Sequence, residues 1–168
     1  MASVKLAYAS SSALTQTALD GLQSSATHVI GWESDIIDNT SNLYLDYRVT
    51  AKITVESSGL SAGEIRMYLV GPLDDTTWPD VFGDGTQSEE TVTDTEVRDA
   101  VCRLGAAVLT DTTASRAYFL DCPSVAAVFG GNVPKKFTVW ITQSTGTTLE
   151  TTGDPNQVYV TGVYATVA

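Results

Sequence analysis

From Leu43 to Glu56 the sequence LYLDYRVTAKITVE alternates without a break. Leu43, Leu45, Tyr47, Val49, Ala51, Ile53 and Val55 fall on one side, and Tyr44, Asp46, Arg48, Thr50, Lys52 and Thr54 on the other. Period two predicts a strand with one buried and one polar face. The run exceeds the usual strand of ~5–6 residues, so a bend or bulge is expected within it. HVIGWES before it reads as a strand with Val29 and Ile30 near Trp32, and IIDNTSN carries a turn signal at Asp38-Asn39. EIRMYLVGP puts Ile65, Met67 and Leu69 on one side and is stopped by Pro72. VRDAVCRLGAAVLT, AYFLDC, KFTVWITQS and VYVTGVYATV complete the set, with a one-turn or irregular link at PSVAAVFGGNVPK.

About eight strands with turn signals between them, and no crossover helix of ten or more residues, predict an all-β domain. We expect a single antiparallel β-sandwich, jelly-roll-like, over 28–168. Residues 1–27 break the pattern. Leu14, Ala18 and Leu22 stand at i, i+4 and i+8, one face of a helix that Ser11 or Ser12 would cap and Gly21 would end. That stretch is too short to hold alone, so an N-terminal arm, partly helical or extended, is expected to lie on something else.

The second irregularity is a long loop from about Leu73 to Thr95, containing DDTTWPDVFGDGTQSEET. Its polar frame surrounds Trp78, Val81 and Phe82. Pro79 pushes Trp78 toward extended backbone, and the Gly83-Asp84-Gly85 turn lets the chain reverse. Exposing such a centre is unfavourable. It either folds back over the sandwich or buries in a neighbour. Trp140 alternates with Phe137, Val139 and Ile141, so it lies on the opposite, outer face of its strand, bare or covered by another chain. Leu14, Leu22, Trp78, Val81, Phe82 and Trp140 are therefore the candidate interface residues, because bulky rings dominate protein–protein contacts.

Composition narrows the partners. Nine basic against 20 acidic residues give a formal charge of −11, which disfavours nucleic acid and anionic membranes. No apolar run reaches the ~20 residues of a membrane helix, and no signal-peptide block is visible, so use without export is expected. Charged residues are 17% of the chain, below the ~25% of an average domain, with Thr and Ser in their place. Cys102 and Cys122 are expected as buried free thiols.

Catalytic signals are weak. GLSAG, Gly59–Gly63, spells a nucleophile elbow but is flanked by strands, and the one histidine, His28, precedes it. His28 and two cysteines fit no zinc spacing. Asp74, Asp75, Asp80 and Asp84 lack the ordered calcium-loop spacing, so no metal or other cofactor is expected. A sugar platform built from Trp32, Trp78, Trp140, Tyr44, Tyr68 and Tyr159 is the alternative to a protein interface.

DGTQSEETVT after DDTTWPDVF, the strand with Arg103 and Leu104, SVAAVFGGNVPKKFTVWITQSTG, and the final strand together resemble small virion proteins of tailed bacteriophages, most nearly the capsid decoration, or cement, proteins. The resemblance covers about Leu43 to the end. It implies a β-sandwich or jelly roll without an active site, seated on the outer capsid and commonly trimeric. It further implies the major capsid protein as partner, with assembly in the host cytoplasm.

Overall fold

The computed structural model describes residues 3–167; residues 1, 2 and 168 of the expected arm and sandwich lie outside the described range. Eleven strands and two short helices follow in chain order: β1 Val4–Tyr8, β2 Ser12–Ala13, β3 Ile30–Glu33, β4 Ile37–Asp38, β5 Asp46–Thr54, β6 Gly63–Val70, β7 Glu89–Thr91, α1 Thr95–Val101, β8 Arg103–Thr110, β9 Ala117–Cys122, α2 Val125–Val128, β10 Lys136–Gln143 and β11 Gln157–Val167. Every described strand pairing is antiparallel. One sheet runs β1–β11–β5–β9, with β2 also on β11. The other runs β7–β3–β10–β6–β8, with β4 also on β10. The molecule is thus an antiparallel β-sandwich.

The alternation predicted for 43–56 sets the inner face of the first sheet. Tyr47, Val49, Ala51 and Ile53 are buried, and their neighbours are not. Register carries this across the sheet: Ala51 stands opposite Val158 and Leu120, and Val49 opposite Val160 and Cys122. Ile65, Met67, Phe137, Val139 and Ile141 of the second sheet complete this core from the other side.

Of the two forms expected for the N-terminal arm, the extended one is present: β1 and β2 are strands on β11, and residues 17–21 form turns where the helical spacing predicts a helix. Leu14 and Leu22 are buried in the sandwich core together with Leu19. The spacing of Leu14, Ala18 and Leu22 is produced by two separate descents into the core, not by one helical face. Through Leu14, Leu19 and Leu22 the segment closes its own sandwich. Gln143 fastens it, as its buried amide donates to the carbonyls of Leu22 (3.0 Å) and Thr147 (2.8 Å).

The long loop also folds back onto its own sheet. Tyr68, Val70 and Trp140 on the outer face of β6 and β10 are covered by Phe82, Val92 and Cys102, with Trp78, Val81, Val97 and Val101 against them. The Phe82 and Tyr68 rings each lie 5.6 Å from the Trp140 ring, Phe82 edge-on and Tyr68 tilted. Trp78 covers Gly83, where a Cβ would meet the indole at 2.0 Å and the backbone has φ +90°. Glycine is required at that position on both counts. α1 begins at Asp94, whose carboxylate accepts from Val97 N–H at 2.7 Å. β10, at the centre of the second sheet, is therefore buried on both faces, whereas the outer face of the first sheet carries no such covering loop.

Candidate functional site

Of the expected interface residues, Leu14, Leu22, Phe82 and Trp140 are buried within their own chain. Trp78 and Val81 are half-buried in the second core. Leu14, Leu22, Phe82 and Trp140 are therefore core residues of this fold. The sugar platform loses three of its six members by the same fact, since Trp32, Trp140 and Tyr68 are buried, whereas Tyr159 is exposed.

Apolar surface is instead presented by a ribbon that sequence reasoning missed. Beyond Val163, β11 has no partner in β5 and pairs with β1 alone. Val4, Leu6 and Tyr8 share one face of this two-stranded ribbon with Ala165 and Val167 opposite them. Val4 is 73% exposed, Leu6 69% and Val167 72%. Along the same bare sheet face stand Phe119 and Tyr159, flanking the ion pair in which Arg48 Nη2 meets Asp121 at 2.7 Å. The signal is the alternation Val4, Leu6, Tyr8 in VKLAY, which the helical spacing of Leu14, Ala18 and Leu22 further along obscures.

A built loop presents a further exposed residue beside the ribbon. Asn39 accepts from Tyr44 N–H (2.8 Å) and from the Tyr47 hydroxyl (2.9 Å), and donates to the Tyr44 carbonyl (3.0 Å). This clamp holds Leu43 at φ +51°, a left-handed conformation that is unfavourable for leucine. Leu43 is 72% exposed there and, with Leu45, Tyr164 and Ala165, lines a depression beside the ribbon.

The groups that carry nucleophilic or acid–base chemistry are placed differently. Both cysteines are free and buried, and burial pushes the Cys102 thiol up to about 12. Ser61 of GLSAG sits in the turn between β5 and β6. His28 is buried with Nδ1 3.4 Å from Thr142 Oγ1. Burial first, then the Arg66 and Arg98 charges, lowers its pKa from 6.5 to about 4, against the pull of Glu64. A pKa depressed in the folded state means stability that is complete above 6.5 and is lost as the pH falls toward 4. Between pH 7 and 4.5 we expect His28 to withdraw on the order of 2 kcal/mol. Thermal melts of wild type and His28→Asn across this range check it; Asn tolerates the φ of +54° at this position. The variant's melting temperature should fall less with acid, and parallel profiles would refute the assignment.

Comparison of the chain with protein-family models, curated proteins and solved structures found no match in any of the three.

Proposed function

We propose that the chain is a non-enzymatic structural module that stabilises a protein shell of the tailed-phage type by docking the β1–β11 ribbon and the adjoining bare sheet face on shell subunits. The observation that carries this reading is the ribbon itself: exposed Val4, Leu6 and Val167 on strands with an unpaired edge. An open strand edge with alternating apolar side chains suits strand addition by another protein. The charge of −11 fits the outside of a shell whose interior holds nucleic acid. Repeated weak contacts strengthen such a shell through multivalency, and self-association as a trimer belongs to the same reading.

The test is co-sedimentation with shells assembled from the major capsid protein of the same particle. Val4→Glu combined with Leu6→Glu should weaken binding about 30-fold, the size of a central hot spot. Leu109→Glu, equally exposed but on β8 of the other sheet, should bind as wild type. Unchanged binding by the β1 variant sinks the proposal.

A sugar-binding reading now rests on Phe119 and Tyr159 around the Arg48–Asp121 pair, because flat exposed rings beside polar groups suit saccharide stacking. Glycan-array binding that disappears with Phe119→Ala would favour it.

A further inference from the structure

Three carboxylates from separate elements meet beneath the long loop. Glu33 ends β3, Asp84 lies in the turn between Gly83 and Gly85, and Glu90 is central in β7. One carboxylate oxygen of each lies within 4.8 Å of the other two. The register explains the meeting. Gly31 pairs with Glu90 and Glu33 with Trp140, so Glu33 and Glu90 rise from the same outer face of the sheet. Gly83, held by Trp78, then brings Asp84 over them.

Glu33 is the member that needs explaining. It is fully buried. Its Oε1 accepts from Gly83 N–H at 2.8 Å, while Oε2 is buried without a hydrogen-bond partner among the described residues. An isolated buried carboxylate is strongly unfavourable, and two further carboxylates beside it make it more so. Burial raises the Glu33 carboxyl to about 7, helped by Asp84 and Glu90 and opposed by the Gly83 N–H.

The other acids of the loop show the contrast. Asp74 accepts from Thr76 and Thr77 N–H, Asp75 pairs with Lys135 at 2.8 Å, and Asp80 accepts from Thr93 N–H at 2.9 Å. Each closes a local structure and none converges with another acid. Around the cluster, hydroxyls add oxygen donors: Thr86 Oγ1 lies 2.9 Å from Asp84, and Ser88 Oγ donates to Glu90.

We infer that Glu33, Asp84 and Glu90 form a site for a hard divalent cation, calcium by preference, which fastens the long loop to the second sheet. The donors are all oxygen, which excludes a thiolate- or imidazole-type zinc centre. They come from a strand, a turn and a second strand, an irregular set that suits calcium's flexible shell of six to eight oxygens better than magnesium's strict octahedron. Asp84 is exposed and leaves an entry path. The site is independent of the proposed shell-binding role.

The experiment is calorimetric titration of calcium chloride into the chelator-treated protein at pH 7.5, with terbium luminescence excited through tryptophan as a second readout. Expected are saturable uptake of one ion per chain, a rise in melting temperature, and terbium emission sensitised by Trp140, which is paired with Glu33. Asp84→Asn and Glu90→Gln should each weaken binding about tenfold or more, Glu33→Gln should abolish it, and Asp74→Asn should leave it intact. Asp84 is a surface side chain, so that variant keeps the test decisive if Glu33→Gln misfolds. Absence of saturable uptake by the wild type overturns the inference. So does equal affinity in the Asp84→Asn and Asp74→Asn proteins.

Discussion

Trp140→Ala is expected to lose about 3–5 kcal/mol of stability, the range for emptying a large aromatic site. Trp140 is the centre of the second core, with Phe82 and Tyr68 against its ring and Gly31 beneath it, where a Cβ would fall 2.5 Å from Nε1. Neither of the nearest rings can slide in to fill the space, because each is fixed by its own strand or turn. The damage should concentrate on the loop and α1, since the main core lies on the opposite face of β10. Urea denaturation gives the magnitude, and limited proteolysis between Leu73 and Thr93 gives the place. A loss under about 1 kcal/mol with an intact loop would mean that this layer contributes little.

Gln143→Met should be nearly as damaging, at about 3 kcal/mol or more, although its volume is conserved. The wild-type amide is fully engaged. It donates to Leu22 and Thr147 carbonyls, and its oxygen accepts from Thr145 N–H at 2.7 Å and Thr145 Oγ1 at 2.8 Å. The thioether answers none of these, so buried backbone and hydroxyl groups are stranded together, and such networks fail as units. Residues Leu14–Thr27 should become the first site of protease cleavage. A variant as stable as wild type would show that the N-terminal segment is held by Leu14, Leu19 and Leu22 alone.

The sandwich was legible because its signal is local. Alternation in 43–56 and in KFTVWITQS assigned the inner faces correctly, including the placement of Trp140 opposite Phe137, Val139 and Ile141. What covers an outer face is not local. Trp140 meets Phe82 through a chain reversal at Gly83, and nothing in the alternation of β10 distinguishes its own loop from a neighbour's. The stretch VRDAVCRLGAAVLT reads as a strand region centred on Val101 to Leu109, and β8 runs Arg103–Thr110; the helix that Asp94 caps just before it is what the pattern does not show. The helical spacing in the N-terminal segment misleads for a different reason. Leu14 and Leu22 satisfy helical spacing, but the residues between them make turns that let both reach the core. Of the acidic cluster, Asp84 was visible as a loop acid; Glu33 and Glu90 lie 57 positions apart in sequence and are joined only by strand register.

The unpaired edge of β1 also limits how copies can combine. Two such edges laid side by side in opposite directions are related by a twofold axis, and each uses up the other, so growth stops at a pair. A threefold particle cannot be closed that way; it must be built on other surfaces and leaves three edges open. The mass of the free particle therefore tells whether β1 is already spent or still offered.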